Sequence, residues 1–157
     1  LLDAALKGLP GEMTIYHYVS PVPHLLIGSA GMWILQPYHQ QGKVTYYKNR
    51  WRLSGGGFMQ ALMTVFGPEG IGRPDAEIAN GIELVKKYFS KRINEFEIPE
   101  IRAALVFTND QAEIDNTDAP LPVLKLKQLK DFIRQKAKEK TIDSLVVEKL
   151  KSLLPAY

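Results

Sequence analysis

Short apolar runs in the first third of the chain predict β-strands. Two nearly continuous runs, His24–Gly28 and Met32–Gln36, are joined by a tight Ser29-Ala30-Gly31 connection. Runs of this kind are typical of central strands that are buried on both faces. The β-branched and aromatic segment Thr14–Val19 predicts a strand before them, and the apolar spacing of Leu1–Gly8 predicts the end of a helix.

The middle of the chain shows a hairpin pattern and then the clearest helical pattern. Lys43–Tyr47 and Arg50–Leu53 predict an exposed hairpin with Lys48-Asn49 at its tip. Further on, Pro74 is followed by acidic residues, as at many helix N-termini. Apolar residues then recur at steps of three and four, which predicts one buried helical face made of Ile78, Ile82, Val85, Phe89, Ile93 and Phe96.

The last part of the chain predicts one long strand, one short strand and two helices. Ile101–Phe107 predicts the long strand, Asn109–Ala119 a polar loop, and Leu121–Leu124 the short strand. Helices are expected near Lys127–Lys140 and Asp143–Leu154. The resulting element order, α-β-β-β-hairpin-α-β-β-α-α, predicts a mixed α/β fold.

Composition narrows the class of protein. The chain has 157 residues, of which 45% are hydrophobic and 24% charged, and this suits one globular domain over residues 1–157. It has no Cys and three His, which excludes disulfide frameworks and thiol nucleophiles and leaves little for a zinc site. No apolar run reaches the roughly 18 to 20 residues of a membrane span, so we expect a cytoplasmic protein without membrane contact in this segment. Because the chain starts at Leu1 without a leader, we expect it to belong to a longer protein.

Positive charge is concentrated in the predicted C-terminal helices. Residues 121–157 carry nine Lys or Arg and four Asp or Glu, whereas residues 1–120 carry eleven and thirteen. A basic stripe on one helical face, opposite an apolar set, consists of Lys127, Lys130, Arg134 and Lys138. Such a stripe is usually a solvated face, and contact with nucleic acid, an acidic partner or an anionic membrane surface are the alternatives.

The predicted hairpin also interleaves cations with aromatic residues. Its cations are Lys43, Lys48, Arg50 and Arg52, and its aromatic residues are Tyr46, Tyr47 and Trp51. This composition suits the neutralisation of phosphates and stacking on bases. An edge hairpin that is protected from aggregation by charge has the same composition, so both interpretations stay open.

Other candidate motifs are weak. Gly55-Gly56-Gly57 lacks the Lys and Ser or Thr of a P-loop, and Gly67–Gly72 lacks a preceding strand, so both segments predict loops. His24 in a strand and His39 in a turn have no carboxylate nearby in sequence, which makes them poor candidates for a general base or a metal site.

One stretch resembles a known family. Val22-Pro23-His24-Leu25-Leu26-Ile27-Gly28, a turn at Gly31, the run Met32–Gln36 and then Gly42-Lys43-Val44 resemble the core of the NERD (nuclease-related) domain. That domain belongs to the restriction-endonuclease-like PD-(D/E)xK superfamily of metal-dependent nucleases. The likeness continues through the hairpin, the Pro74 helix, the following strand and the basic tail. It implies a restriction-endonuclease-like α-β-β-β-α-β core in a prokaryotic protein.

The family's catalytic positions are substituted in this chain. Its metal-binding Asp corresponds to Pro23, its Glu to Gln36 and its Lys to Tyr38, while its helix Gln falls at or near Glu77. Such a site needs two carboxylates to hold a divalent metal and a Lys to orient water and offset charge. Pro offers no ligand, a Gln oxygen is neutral, and a phenol does not replace an ammonium.

The distribution of acidic residues independently predicts that the metal-binding carboxylates are absent. No Asp or Glu lies between Glu12 and Glu69. We therefore expect a catalytically degenerate domain without a cofactor, which binds DNA, RNA or a protein partner through the hairpin and the basic stripe. One alternative is a Mg²⁺- or Mn²⁺-dependent nuclease with a displaced active site that uses Glu77 and Gln36. Another is a structural module that forms homo-oligomers.

Overall fold

The computed structural model describes residues 2–9, 13–39, 42–47, 50–54, 74–115, 119, 121–139 and 142–155, and for residues 42–47, 50–54 and 115 the description covers the backbone. These ranges contain eight strands and four helices. The strands are β1 (Thr14–His17), β2 (His24–Gly28), β3 (Gly31–Tyr38), β4 (Gly42–Tyr47), β5 (Arg50–Ser54), β6 (Ile101–Phe107), β7 (Ala112–Asp115) and β8 (Val123–Lys125). The helices are α1 (Leu2–Leu6), α2 (Pro74–Ser90), α3 (Leu126–Lys138) and α4 (Ser144–Ser152).

The strands form two sheets. The larger sheet has the order β1-β2-β3-β6-β8, with antiparallel pairing from β1 to β3 and parallel pairing from β3 to β8. The smaller sheet has the order β5-β4-β7, in which β4 is antiparallel to β5 and parallel to β7. The predicted mixed α/β fold is thereby confirmed.

Helices cover both faces of the larger sheet. Met32 and Ile34 of β3 belong to one apolar core, which also contains buried residues of α2 and α4. Trp33 and Leu35 belong to a second core, to which α1 and α3 contribute. Because β3 is buried on both faces, it has no polar alternation from Met32 to Leu35, and this is the physical reason for the continuous apolar run.

Two strand predictions need correction. Asn109–Ala119, predicted as a polar loop, contains β7, which adds to the smaller sheet beside β4. Its polar residues alternate with Ala112 and Ile114, so a half-buried strand was mistaken for a loop. The strand predicted over Thr14–Val19 ends at His17, because Tyr18 takes a left-handed φ of 57° and donates its N–H to the Pro23 oxygen at 2.8 Å.

The apolar residues predicted to face the core do so, but the predicted end of the first long helix differs from the observed one. α2 ends at Ser90, although the apolar period runs on to Phe96. Ile93 is only 5% exposed and Phe96 packs against the same core, but both do so from the segment after the helix. The helices expected near the C-terminus are confirmed as α3 and α4, and the short strand expected at Leu121–Leu124 is β8.

The predicted hairpin is confirmed in its backbone, since β4 and β5 pair from Lys43 with Ser54 to Tyr47 with Arg50. Its tip at Lys48-Asn49 lies outside the described residues, as do Glu12 and the glycine runs at 55–57 and 67–72. None of the helices in the described ranges is long and apolar enough to cross a bilayer.

Gly28 gives a test of this packing. A Cβ added there would meet the side chain of Met13 and lie 2.7 Å from the Met13 Cα, where backbone has no room to move. We expect Gly28→Ala to lower the free energy of unfolding by about 1–3 kcal/mol, measured by urea denaturation. Ser29→Ala at the next position adds no atom and should stay within about 0.5 kcal/mol of the unmodified chain. Equal stability of both variants would contradict this packing.

Candidate functional site

A cleft opens where β3 continues past β2. Leu25, near the start of β2, pairs with Ile34, so the pairing with β2 does not extend to the last residues of β3. They remain paired with β6 on the other side, and Pro37 is accommodated because β2 does not extend alongside it. The resulting cleft, here called the β3 cleft, has a volume of about 460 Å³ and is lined by residues of the Tyr18–Pro23 segment, β2, β3 and α2, among them Tyr18, Pro23, His24, Gln36, Glu77 and Leu84.

Three of the four substituted motif positions meet through hydrogen bonds at this cleft. Gln36 donates from Nε2 to the Tyr38 hydroxyl and to the Glu77 carboxylate, each at 2.6 Å. Pro23, the fourth position, lines the same cleft. The positions selected by the family resemblance therefore come together, although Gln36 and Glu77 are 41 residues apart in sequence.

Tyr38 is the inner member of this group. Its ring stacks on Phe107, with the centroids 5.2 Å apart and an interplanar angle of 22°. Burial of the phenol raises the pKa of Tyr38 to about 12, the negative charge of Glu77 acts in the same direction, and the hydrogen bond to Gln36 acts against them. The phenol is therefore neutral at physiological pH and does not supply the positive charge of the family's Lys.

A divalent metal does not fit these residues. Glu77 is the only carboxylate among the described residues that line the cleft, and one of its oxygens already accepts a hydrogen bond from Gln36. Mg²⁺ and Mn²⁺ require several oxygen ligands, usually with more than one carboxylate in a site of this kind. Across the described part of the chain, no group of three or more His, Asp or Glu is placed to hold a metal ion.

A second polar group, which the sequence analysis missed, reaches the cleft from β1. His17 and His24 lie opposite each other in the β1–β2 pair, and their Nδ1 atoms are 2.8 Å apart. The other nitrogen of His17, Nε2, lies 2.8 Å from Oδ1 of Asp3 in α1. His24 thus lines the cleft at the end of a hydrogen-bonded chain that starts at a carboxylate.

The sequence contains a signal for this hydrogen-bonded chain of side chains, but the signal is non-local. His17 and His24 flank the connection between two predicted strands, so antiparallel pairing places them side by side. Asp3 was not associated with them because it lies 14 residues before His17, on a helix. His39, the other histidine considered, is exposed at the end of β3, where its backbone oxygen accepts a hydrogen bond from Asn109.

The basic stripe lies on the opposite side of the larger sheet from α2. Leu129 and Ile133 of α3 are buried in the core shared with α1, as the amphipathic pattern predicts. Lys127 and Lys138 are exposed, and Lys130 is half-buried. Nη1 of Arg134 donates a hydrogen bond to Oδ1 of Asp131 at 2.6 Å. A Cβ added to Gly8 would lie 3.4 Å from the Lys130 ammonium, which places this Lys against the segment after α1.

For three of the four hairpin cations the structure describes only the backbone. Lys43 belongs to β4, and Arg50 and Arg52 belong to β5. Their side chains and the whole of Lys48 lie outside what the structure describes. Nucleic-acid contact by the hairpin therefore stays a prediction.

Comparison of the chain with protein-family models, curated proteins and solved structures gives no match. The resemblance to the NERD domain accordingly rests on the residues described above, and the site is interpreted from its own geometry.

The raised pKa of Tyr38 predicts a loss of stability at high pH. The folded protein keeps the phenol protonated up to about pH 12, whereas the unfolded chain releases this proton near pH 10, so the stabilisation is present below pH 10 and is lost between pH 10 and 12. Spectrophotometric titration should show a tyrosine component near 12 that Tyr38→Phe removes. Tyr16, whose pKa burial also raises, remains in that variant as an internal reference. An unchanged titration curve would contradict the placement of Tyr38.

Proposed function

We propose that this chain is a NERD-like domain with a restriction-endonuclease-like fold that binds nucleic acid without cleaving it. The main support for the absence of cleavage is the hydrogen bond from Gln36 Nε2 to Oε2 of Glu77 at 2.6 Å. An amide donor occupies the place where a metal nuclease needs a second anionic ligand. The single carboxylate of the cleft therefore faces a neutral hydrogen-bond donor instead of a second carboxylate.

The placement of the motif positions supports the family assignment. A nuclease of this superfamily needs its strand and helix positions to converge at one edge of the sheet. Pro23, which directly precedes β2, Gln36 of β3 and Glu77 of α2 line one cleft, and Tyr38 of β3 joins them through its hydrogen bond with Gln36. This convergence is a non-local property that a chance likeness in the linear sequence would not require.

The distribution of positive charge supports nucleic acid as the ligand. Lys127 and Lys138 are exposed at opposite ends of the basic stripe, 11 residues or about 16 Å apart along the helix axis. Cations arranged in this way can contact two phosphates that are several nucleotides apart and release the counterions bound there. The β3 cleft contributes no such charge, since none of its described lining residues is Lys or Arg.

Cleavage is tested with supercoiled plasmid in the presence of Mg²⁺ or Mn²⁺ and, in parallel, with chelator. We expect the plasmid to stay intact in all cases, because the cleft cannot assemble the metal site. Metal-dependent nicking that Glu77→Ala abolishes would contradict the proposal and support the displaced nuclease site that uses Glu77 and Gln36. Glu83→Ala, an exposed change on the same helix outside the cleft, is the matched control.

Binding is tested with the double charge reversal Lys127→Glu and Lys138→Glu, which leaves the half-buried Lys130 and the Arg134–Asp131 pair unchanged. The slope of log affinity against log salt concentration should fall in magnitude by about 2, since two phosphate contacts are removed. Reversing Lys86 and Lys91, which are exposed on and just after α2, changes the net charge equally and should have a smaller effect.

Equal effects of the two double reversals would show that the basic stripe is not a specific contact for nucleic acid. Absence of any plasmid retardation at low salt would contradict nucleic-acid binding altogether and favour a protein partner or a homo-oligomer. Light scattering of the purified chain separates those two, because a strict monomer excludes the oligomer.

A further inference from the structure

We propose that the β3 cleft binds an organic cation, an ammonium or guanidinium group attached to a small apolar body. Glu77 reaches the cleft from α2, whereas the basic stripe is on α3, which packs against the other face of the larger sheet. Its volume of about 460 Å³ is in the range of small-molecule sites and also suffices for one long side chain of another protein.

The charge of the cleft favours a cation. Within its described lining, Glu77 carries a formal negative charge and no Lys or Arg offsets it. A phosphate or carboxylate ligand would meet repulsion from this group, whereas a cation gains attraction that is strengthened by the low-dielectric walls. The cleft therefore discriminates by the sign of the ligand's charge.

Glu77 is held in a defined position for such a contact. Gln36 donates to Oε2, and Gln36 is itself fixed through its hydrogen bond to Tyr38, whose ring stacks on Phe107. A carboxylate has about four acceptor positions, so one hydrogen bond leaves Oε1 and further lone pairs available. The carboxylate is thus oriented without being saturated, which lowers the entropic cost of binding.

The histidine chain supplies a second acceptor. The Asp3 carboxylate only accepts, so Nε2 of His17 carries a proton, and in the neutral ring Nδ1 must then accept from Nδ1–H of His24. His24 consequently has its lone pair on Nε2. Asp3 and His17 act as positioning residues, because they fix the tautomer in which the His24 ring accepts a hydrogen bond.

The mouth of the cleft is apolar and aromatic. Tyr18 is 77% exposed, and its left-handed backbone places the ring edge-on to His24 with centroids 5.4 Å apart. Leu84 of α2 is 42% exposed at the same cleft. A strained, exposed Tyr beside an exposed Leu offers a face for cation–π contact and for the apolar part of the ligand.

A ligand series tests the charge requirement. The full chain is titrated with benzylamine, benzyl alcohol and benzoate, which share a ring and differ in charge, and binding is followed by calorimetry and by NMR shifts of cleft residues. We expect benzylamine to bind at least about tenfold more tightly than the alcohol, since the alcohol can donate a hydrogen bond to Glu77 but lacks the positive charge that attracts the carboxylate. Comparable binding of benzoate and benzylamine would overturn the proposal.

A blocked Gly-Arg-Gly tripeptide distinguishes the two sources of such a cation. Tighter binding of this peptide than of benzylamine identifies a protein side chain as the better ligand, and the reverse order identifies a free amine. Either order supports the cleft as a cation site. Failure of both ligands overturns it.

Single substitutions test which carboxylate is responsible. Glu77→Gln keeps the shape of the exposed side chain and should weaken benzylamine binding by about tenfold. Glu83→Gln makes the same change on α2 outside the cleft and should leave the affinity within about twofold. An unchanged affinity in the Glu77 variant would overturn the assignment, even if benzylamine binds.

The pH dependence tests the histidine chain. Acid adds a proton to His24, which places positive charge in the lining of the cleft near Asp3 and Tyr18 and converts Nε2 of His24 into a donor, so cation binding should weaken from pH 7.5 to 5.5. Burial, together with the neighbouring His17, lowers the pKa of His24, so the loss should occur below about pH 6.5. The double variant His17→Gln, His24→Gln should lose this pH dependence. A pH-independent affinity in the unmodified chain would overturn the role of His24.

Discussion

β3 is enclosed by neighbouring strands and by helices on both faces from Gly31 to Ile34, and it then continues without β2 on one side. The enclosed part must be apolar, because a buried polar side chain without a partner costs free energy. The continuing part returns to solvent and can carry Gln36. One strand therefore provides both the centre of the fold and the floor of the cleft, and any substitution that shifts the register of β3 would affect both.

This constraint explains which features could be predicted from the sequence. The continuous apolar runs of β2 and β3 and the period of α2 follow directly from burial, and the structure confirms them. β7 was not predicted, because its partner β4 is about 70 residues away and nothing local marks a half-polar strand. The end of α2 was misplaced for a related reason, since Ile93 fills the core from outside the helix.

The candidate site could be predicted from the sequence only in part. The alignment of motif positions predicted that Pro23, Gln36, Tyr38 and Glu77 belong together, but residue types alone did not predict the hydrogen bonds by which Gln36 joins Tyr38 and Glu77. The chain from Asp3 through His17 to His24 depends on strand register and on the docking of α1, which are both tertiary properties. Polar groups carry no periodic signal, so their partners appear only once the apolar core has fixed the backbone.

If the chain is a NERD-like domain as proposed, the residues that leave no metal site also reverse the electrostatic preference of the cleft. In a metal-dependent nuclease, the bound cation and the nearby Lys outweigh the carboxylates and attract phosphate. Under the proposed assignment, Pro23 and Tyr38 stand where the family has its first carboxylate and its Lys, while Glu77 has no cation beside it in the described lining. A phosphate would then meet net repulsion at the position where a nuclease binds it. The basic stripe lies instead on α3, which packs against the other face of the sheet from α2, so nucleic acid and an organic cation at Glu77 would use different sides of one core.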